Sequence, residues 1–401
     1  MADRLERAGV LALFGTAGAL QFSIAAGQIL LAVAVFCWAA MLAVRRERVS
    51  VPRIVWPLAA YAALTLLSAT FSPQPRTSLL DCKQLVLFLL IPVTYRLLDA
   101  RRAETMVSVI LTFAAVSAAY GIFQYAILHY DNLGQRPQGT LGHYMTYSGL
   151  LMLVIGTGLS RLLFGERERI WAAIVMPALL VAVALTFTRS AWVGACVAAA
   201  LLLSLKDFRL LAVLPIVAAA FFAFAPARVT TRFVSIFDLK DPTNRDRVAM
   251  LREGKHMIRD HPLLGVGPNM VQPLYSEYRD PDAVEPLNPH LHNVPVQVAA
   301  ERGLPALAAW LAFIGLSIVD LVQGFRSGSR SLTAVGLAAV VAMLAAGMFE
   351  YNFGDSEFLM LFLILITLPF AAAHHSRLLG AADRHPSVER EHTGRTHAQA
   401  G

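Results

Sequence analysis

The feature that most restricts this chain is the recurrence of long apolar runs, most of them long enough to cross a hydrocarbon core of about 30 Å as a helix. They fall at 9–25, 28–44, 54–71, 84–100, 105–128, 143–163, 168–187, 190–205, 208–226, 293–322, 331–349 and 356–373. Inside lipid every backbone N–H and C=O must find its partner within the segment, so runs of this kind fold as helices rather than open sheet. With 57% hydrophobic and only 15% charged residues, against roughly 25% charged in soluble chains, an all-α polytopic membrane protein of about twelve transmembrane helices is expected.

The first run leads straight into the second with no small-residue cleavage site, so the first helix is expected to be kept rather than removed as a leader. Cys37, Cys82 and Cys196 are odd in number and far apart, which suggests neither a disulfide nor a zinc framework. Orientation follows from Lys and Arg. With the N-terminus in the cytoplasm, the short inside segments and the tail hold twenty of the 34 basic residues, the short outside ones five, and the long segment 227–292 the other nine. That is the sense of the positive-inside rule, and it places both termini in the cytoplasm. The net charge of +7 then reads as anchoring and attraction to anionic lipid, with no call for a nucleic-acid partner.

Four regions result: helices one to nine over 1–226, a large external loop over 227–292, helices ten to twelve over 293–373, and a polar tail over 374–401 that reads as disordered. The loop is the one sizeable polar segment outside the hydrocarbon and therefore the expected place for chemistry. Within it, "DRVAMLREGKHMIRD" (246–260) has amphipathic helical spacing, "PLLGVGPN" (262–269) reads as a helix stop and turn, and a second short helix fits 270–279.

Four segments carry a resemblance: "RPQGTLGHYMTYSGLLML" (136–153), "TFTRSAWVG" (186–194), "NRDRVAMLREGKHMIRDHPLLGVG" early in the loop and "HLHNVPVQVAAERGLPAL" at its exit. Together with the loop between a ninth and a tenth helix they resemble the O-antigen ligase family, and the likeness extends in part to Wzy-type O-antigen polymerases and protein O-oligosaccharyltransferases. The resemblance implies a glycosyltransferase of GT-C-like architecture in the bacterial inner membrane, working at its periplasmic face in lipopolysaccharide biosynthesis. Its donor would be an undecaprenyl-pyrophosphate-linked glycan and its acceptor a sugar of the lipid A core.

Such a transfer needs a base near neutral pH for the acceptor hydroxyl and fixed positive charge for the departing phosphates. His292 suits the first task, since an unperturbed imidazole has a pKa of about 6.5, and with Asn293 it matches the family's catalytic histidine at a helix entry. His290 is either a supporting partner or structural. Arginine suits the second task through its planar, permanently charged fork. Arg189 matches the family's helix-turn arginine, where snorkelling to the headgroups is the plain alternative. Arg247 is favoured among the crowded loop cations, with Arg245 in reserve, and Arg136 adds a further phosphate contact. The pair Asp280 and Asp282 has the spacing of two cation ligands, yet the site is read as free of metal and of any cofactor. An inverting, metal-independent ligase is thus expected. A polymerase that takes a second lipid-linked glycan is the nearest alternative, and a transporter or flippase the more distant one.

Overall fold

The computed structural model describes residues 1–166, 168–238 and 240–383, with side chains as far as residue 376, and all of its regular structure among these residues is helical. Each of the twelve apolar runs has become a helix. In chain order these are α1 (Ala2–Ala19), α2 (Ile24–Arg45), α3 (Val55–Thr70), α4 (Pro75–Leu97, with a tightened middle), α5 (Ala100–Ala126), α6 (Tyr144–Phe164), α7 (Arg169–Leu185), α8 (Arg189–Lys206) and α9 (Phe208–Phe224). The segment after α9 adds α10 (Ala227–Val234) and α11 (Pro242–Asp260), then come α12 (Val294–Ser327), α13 (Arg330–Gly347) and α14 (Ser356–Asp383). Eight helices among the described residues are long and apolar enough to span a membrane, and α3, α7 and α9 are shorter apolar ones. This is the architecture of a polytopic α-helical membrane protein. Eight spans by this measure are fewer than the twelve expected, because α3, α7 and α9 are short and polar residues enter α1.

Burial separates the centre of the bundle from its rim. α6, α13 and α14 are buried on nearly every side, whereas α2 turns Ile29, Val33 and Phe36 outward. A helix apolar all round is either a core helix or a lipid-facing one, and here the two kinds are distinguished by packing alone. α1 lies along α2, α8 and α6 pack on α13, and α3 packs on α12. At one end of the bundle a set of ion pairs ties the helices together: Arg45 to Asp3 at 2.6 Å and Glu6 at 2.8 Å, Arg102 to Glu6 at 3.0 Å, and Arg96 to Glu47 at 2.8 Å. These arginines come from the short segments assigned to the cytoplasm by charge counting.

At the opposite end sits the segment between α9 and α12. α11 begins four residues earlier than the expected helix, at Pro242, because Asp241 accepts hydrogen bonds from the backbone N–H groups of Thr243 and Asn244 and so caps it. The expected short helix at 270–279 shrinks to a single turn, Tyr275–Tyr278. The apolar face of α11, with Met250 and Met257, packs on Val266, Met270, Val271 and Leu291 to form a small core of its own.

α12 is broken at Gly303, whose φ is 82°. Pro305 has no N–H to give to Glu301, and the carbonyls freed by the break are taken over by the stretch 262–267. Val266 N–H donates to Ala300 O and Gly267 N–H to Glu301 O, both at 2.8 Å, while Leu304 N–H donates to Pro262 O at 2.8 Å. The backbones approach so closely that a Cβ on Gly303 would lie 2.1 Å from Leu263 O, and one on Gly265 2.3 Å from the Glu301 carbonyl carbon. The glycines of "HPLLGVG" and "ERGLP" are therefore required by one joint. At the C-terminus α14 runs to Asp383, ten residues beyond the end of the expected span. Residues 384–401, most of the expected disordered tail, lie outside the described residues.

Candidate active site

The stretch that enters α12 is held from three sides. Leu291 is buried in the small core under α11, and its backbone N–H donates to Gln297 Oε1 at 2.6 Å. Asn293 caps α12 by accepting from Val296 N–H at 3.0 Å, and its side-chain amide donates to Met348 O at 3.1 Å. Between these two anchors His292 takes a left-handed backbone conformation, φ 47°, which is uncommon for a residue with a Cβ and persists only where surroundings over-determine it.

The bond from Asn293 to Met348 also draws in the turn after α13, where Glu350 sits. His292 Nδ1 lies 3.1 Å and 3.0 Å from the two carboxylate oxygens of Glu350, and His290 Nε2 lies 3.3 Å from one of them. The two imidazole rings are 4.2 Å apart between centroids. Burial pushes the Glu350 carboxyl up, and the two imidazoles beside it more than reverse this, holding it well below the usual carboxylate range. With Nδ1 donating to Glu350, the lone pair of His292 is on Nε2, which makes no hydrogen bond among the described residues. His290, His292 and Glu350 also each offer one ligand atom, all within 4.8 Å of one another, and so compose a set able to hold a metal ion.

His292, Ser190 and Met145 line two cavities at once. One, of about 260 Å³, is basic and receives Arg136, Arg189, Arg232 and Arg247. Arg189 starts α8 two residues after Phe187, whose φ of 54° turns the chain from α7. Arg189 is 5% exposed, and its guanidinium donates to Ser235 O at 2.8 Å, to Ser235 Oγ at 3.0 Å and to Asp241 at 3.2 Å. Arg232 pairs with the other oxygen of Asp241 at 3.4 Å. Burial first, then the Arg189 charge, pushes the Arg232 guanidinium down to about 10. Burial likewise lowers Arg247, whose Nε is buried without a partner. Arg136 stacks over the Tyr144 ring, 4.2 Å from its centroid. Four cations outnumber the acids around them, Asp241 behind Arg189 and Arg232 and Asp246 and Glu285 in the wall, and leave a cavity whose electrostatics favour a polyanion.

The second cavity, of about 490 Å³, runs from His292 past Glu350 toward Asp81 and Glu301. Amide and hydroxyl side chains, among them Gln84, Asn269, Gln297 and Thr146, share its wall with Tyr351 and Phe358.

Of the residues expected from sequence, His290, His292, Arg136, Arg189 and Arg247 converge here. Asn293 serves as helix cap and tie, and Arg245 is exposed on α11 and lines neither cavity. Asp280 and Asp282 are bound to Arg252 at 3.3 and 2.8 Å and line neither cavity. Sequence reasoning missed Glu350, Arg232 and Asp241. The stretch "FEYNFGDSE" (349–357) between two apolar runs is the signal that would have pointed to Glu350.

A multi-helix membrane protein in which a partly buried acid–base pair stands between a basic cavity and a hydroxyl- and amide-lined one has the layout of an integral-membrane enzyme. The family model described as O-antigen ligase (Wzy_C) matches residues 172–311, so that this segment of the chain is similar to the O-antigen ligase family. The match takes in Arg189, Arg232, Arg247, His290 and His292, while Arg136 and Glu350 come from outside it. No curated protein matches the chain.

Proposed function

We propose that the protein is an O-antigen ligase: it transfers a glycan from a polyprenyl pyrophosphate, undecaprenyl in bacteria, to a sugar hydroxyl of lipid A core. The observation that carries this reading is the position of His292 in the wall common to the basic cavity and the polar one. The pyrophosphate lies among Arg189, Arg247, Arg232 and Arg136, and the acceptor sugar lies in the cavity of Glu350. The acceptor oxygen attacks the anomeric carbon and loses its proton to His292 Nε2. The anomeric C–O bond to phosphate breaks, and its electron pair leaves on the pyrophosphate, whose charge the arginines stabilise. Attack from the side opposite the leaving group inverts the anomeric configuration. Glu350 holds the imidazole in the required tautomer and favours its protonated form as the step proceeds.

The reading extends to the whole molecule. All twelve apolar helices, the eight long and the shorter ones, lie in the inner membrane in a GT-C-like arrangement. The segment 227–292 faces the periplasm, and both termini face the cytoplasm. The membrane boundary then sets the depth of two lipid-anchored substrates at the level of His292. Reconstitution with a lipid-pyrophosphate-linked glycan, offering lipid A core and a second lipid-linked glycan as competing acceptors, is the direct test. Product on lipid A core is expected. Extension of the second glycan instead would make the protein a Wzy-type polymerase, and no transfer to either would exclude the enzyme reading.

The reaction written above needs no metal, and treatment with EDTA is expected to leave the rate unchanged. The convergence of His290, His292 and Glu350 supports a second reading, in which a divalent ion bound there polarises the acceptor hydroxyl. Loss of activity on chelation and its return on adding the ion would select that second reading.

A further inference from the structure

We infer that the cavity beyond Glu350 selects an uncharged or amino-bearing acceptor sugar and rejects one that carries phosphate or carboxylate groups of its own. The inference rests on the glycosyl-transfer reading and adds the charge class of the acceptor.

The two cavities that meet at His292 are opposite in character. The basic one sets four arginines against two carboxyl groups, Asp246 and Glu285, in its lining. The other has four carboxyl groups, Asp81, Glu301, Glu350 and Asp355, and no lysine or arginine among the described residues. Behind this wall Arg302 is already committed, to Glu301 at 2.7 Å and Asp81 at 3.7 Å. Histidines 143, 290 and 292 are the remaining ionisable basic groups in the lining, and two of them are engaged by Glu350. An anionic acceptor would thus leave water to face carboxyl groups at close range with no free cation to pair with. Juxtaposing like charges in this way works against binding.

Sugar hydroxyls meet the opposite situation. Each is a donor, and carboxylate oxygens together with the amide oxygens of Gln84, Asn269, Gln297 and Asn352 are acceptors. A site built to receive donated hydrogen bonds discriminates strongly in favour of groups that supply them. An ammonium group would be accepted for the same reason. The division also keeps the two substrates apart: phosphate is drawn to the side of Arg189 and Arg247, so the donor cannot settle productively in the acceptor cavity. One imidazole therefore faces a polyanion on one side and a polyol on the other.

The test uses the intact protein in liposomes, a lipid-pyrophosphate-linked glycan as donor, and three synthetic glycolipid acceptors. They share one terminal hexose, which is either unmodified, amino-substituted, or phosphorylated at a hydroxyl other than the one found to be glycosylated in the unmodified product. Transfer to the first two is expected, with kcat/KM for the phosphorylated acceptor lower on the order of a hundredfold. Asp81→Asn removes one carboxylate and is expected to narrow that ratio whatever it does to the absolute rate. Equal kcat/KM for neutral and phosphorylated acceptors, or a ratio that Asp81→Asn leaves unchanged, overturns the inference while leaving glycosyl transfer intact. Failure of every acceptor to be glycosylated overturns the transfer reading and this inference with it.

Discussion

His292 combines a left-handed backbone at φ 47° with a side chain locked to both oxygens of Glu350. Such strain is held in place by the buried Leu291 and the cap residue Asn293 on either side, which is the arrangement expected where a side chain must be aimed. His292→Ala is expected to abolish glycan transfer while the protein remains in the membrane, read by transfer assay and by membrane content. Glu350→Gln is expected to lower kcat more than it raises the acceptor KM, because the imidazole loses its orienting acceptor rather than a substrate contact. The Glu350 carboxyl is held below its ordinary value in the folded protein. Its contribution to stability is therefore complete above the unfolded pKa of about 4.3 and is lost as pH falls toward the folded one. The difference in Tm between the protein and Glu350→Gln should accordingly shrink below about pH 4. For Arg189 and Arg247, replacement by Lys keeps the charge and loses the bidentate fork. Removing one charge-assisted contact from a developing anion costs about 2.7–4 kcal/mol, on the order of a hundred- to a thousandfold in rate. Full activity in both Lys variants would take the arginines out of the site.

At the scale of elements, the decisive object is the joint between α12 and the stretch 262–267. Its three backbone hydrogen bonds at 2.8 Å fix α11 and the small core beneath it to the broken turn of α12, and thereby fix Arg247 relative to His292. Gly303→Ala and Gly265→Ala each place a Cβ within 2.3 Å of backbone at a positive φ. Both conformational strain and collision must then be relieved by opening the joint. Each variant is expected to lower Tm and to reduce transfer, with limited proteolysis of 242–292 accelerated. Gly142→Ala makes a useful comparison, since its Cβ meets nothing within 4 Å although φ is 77°. It should show the cost of the backbone conformation alone. α12 also illustrates why a proline inside an apolar run is not a defect: Pro305 frees the Glu301 carbonyl, which is then shared by Gly267 N–H at 2.8 Å and Ser68 Oγ at 2.9 Å.

For the whole molecule, the ion pairs among Arg45, Arg96, Arg102 and their acids gather at one end of the bundle and the two cavities at the other. This polarity agrees with the charge count and yields a topology test. Single cysteines at Ser276 and Glu277, both exposed, should react with a membrane-impermeant thiol reagent in intact spheroplasts. Labelling only after lysis would reverse the orientation. Cys37 and Cys82 are buried, so Cys196 is the native thiol to replace first.

Apolar run length determined that the chain is helical and where each long helix lies, because in hydrocarbon the backbone has no other way to satisfy its hydrogen bonds. The family resemblance carried by "HLHN" and "TFTRS" is what marked His292 and Arg189 as candidates. The sequence could not show that Glu350, 58 positions beyond His292, is its partner, since that pairing depends on Asn293 reaching the carbonyl of Met348 across two helices. The sequence favoured Arg247 and kept Arg245 in reserve: the two lie within one turn on roughly opposite faces of an amphipathic helix, and only the packing of α11 on α12 turns one inward and leaves the other in solvent. The split of one polar site into a basic and an acidic cavity belongs wholly to the tertiary structure. It arises because charges from the loop before α6 and from α8, α10 and α11 are brought to one side of His292 and those from α4, α12 and the ends of α13 and α14 to the other.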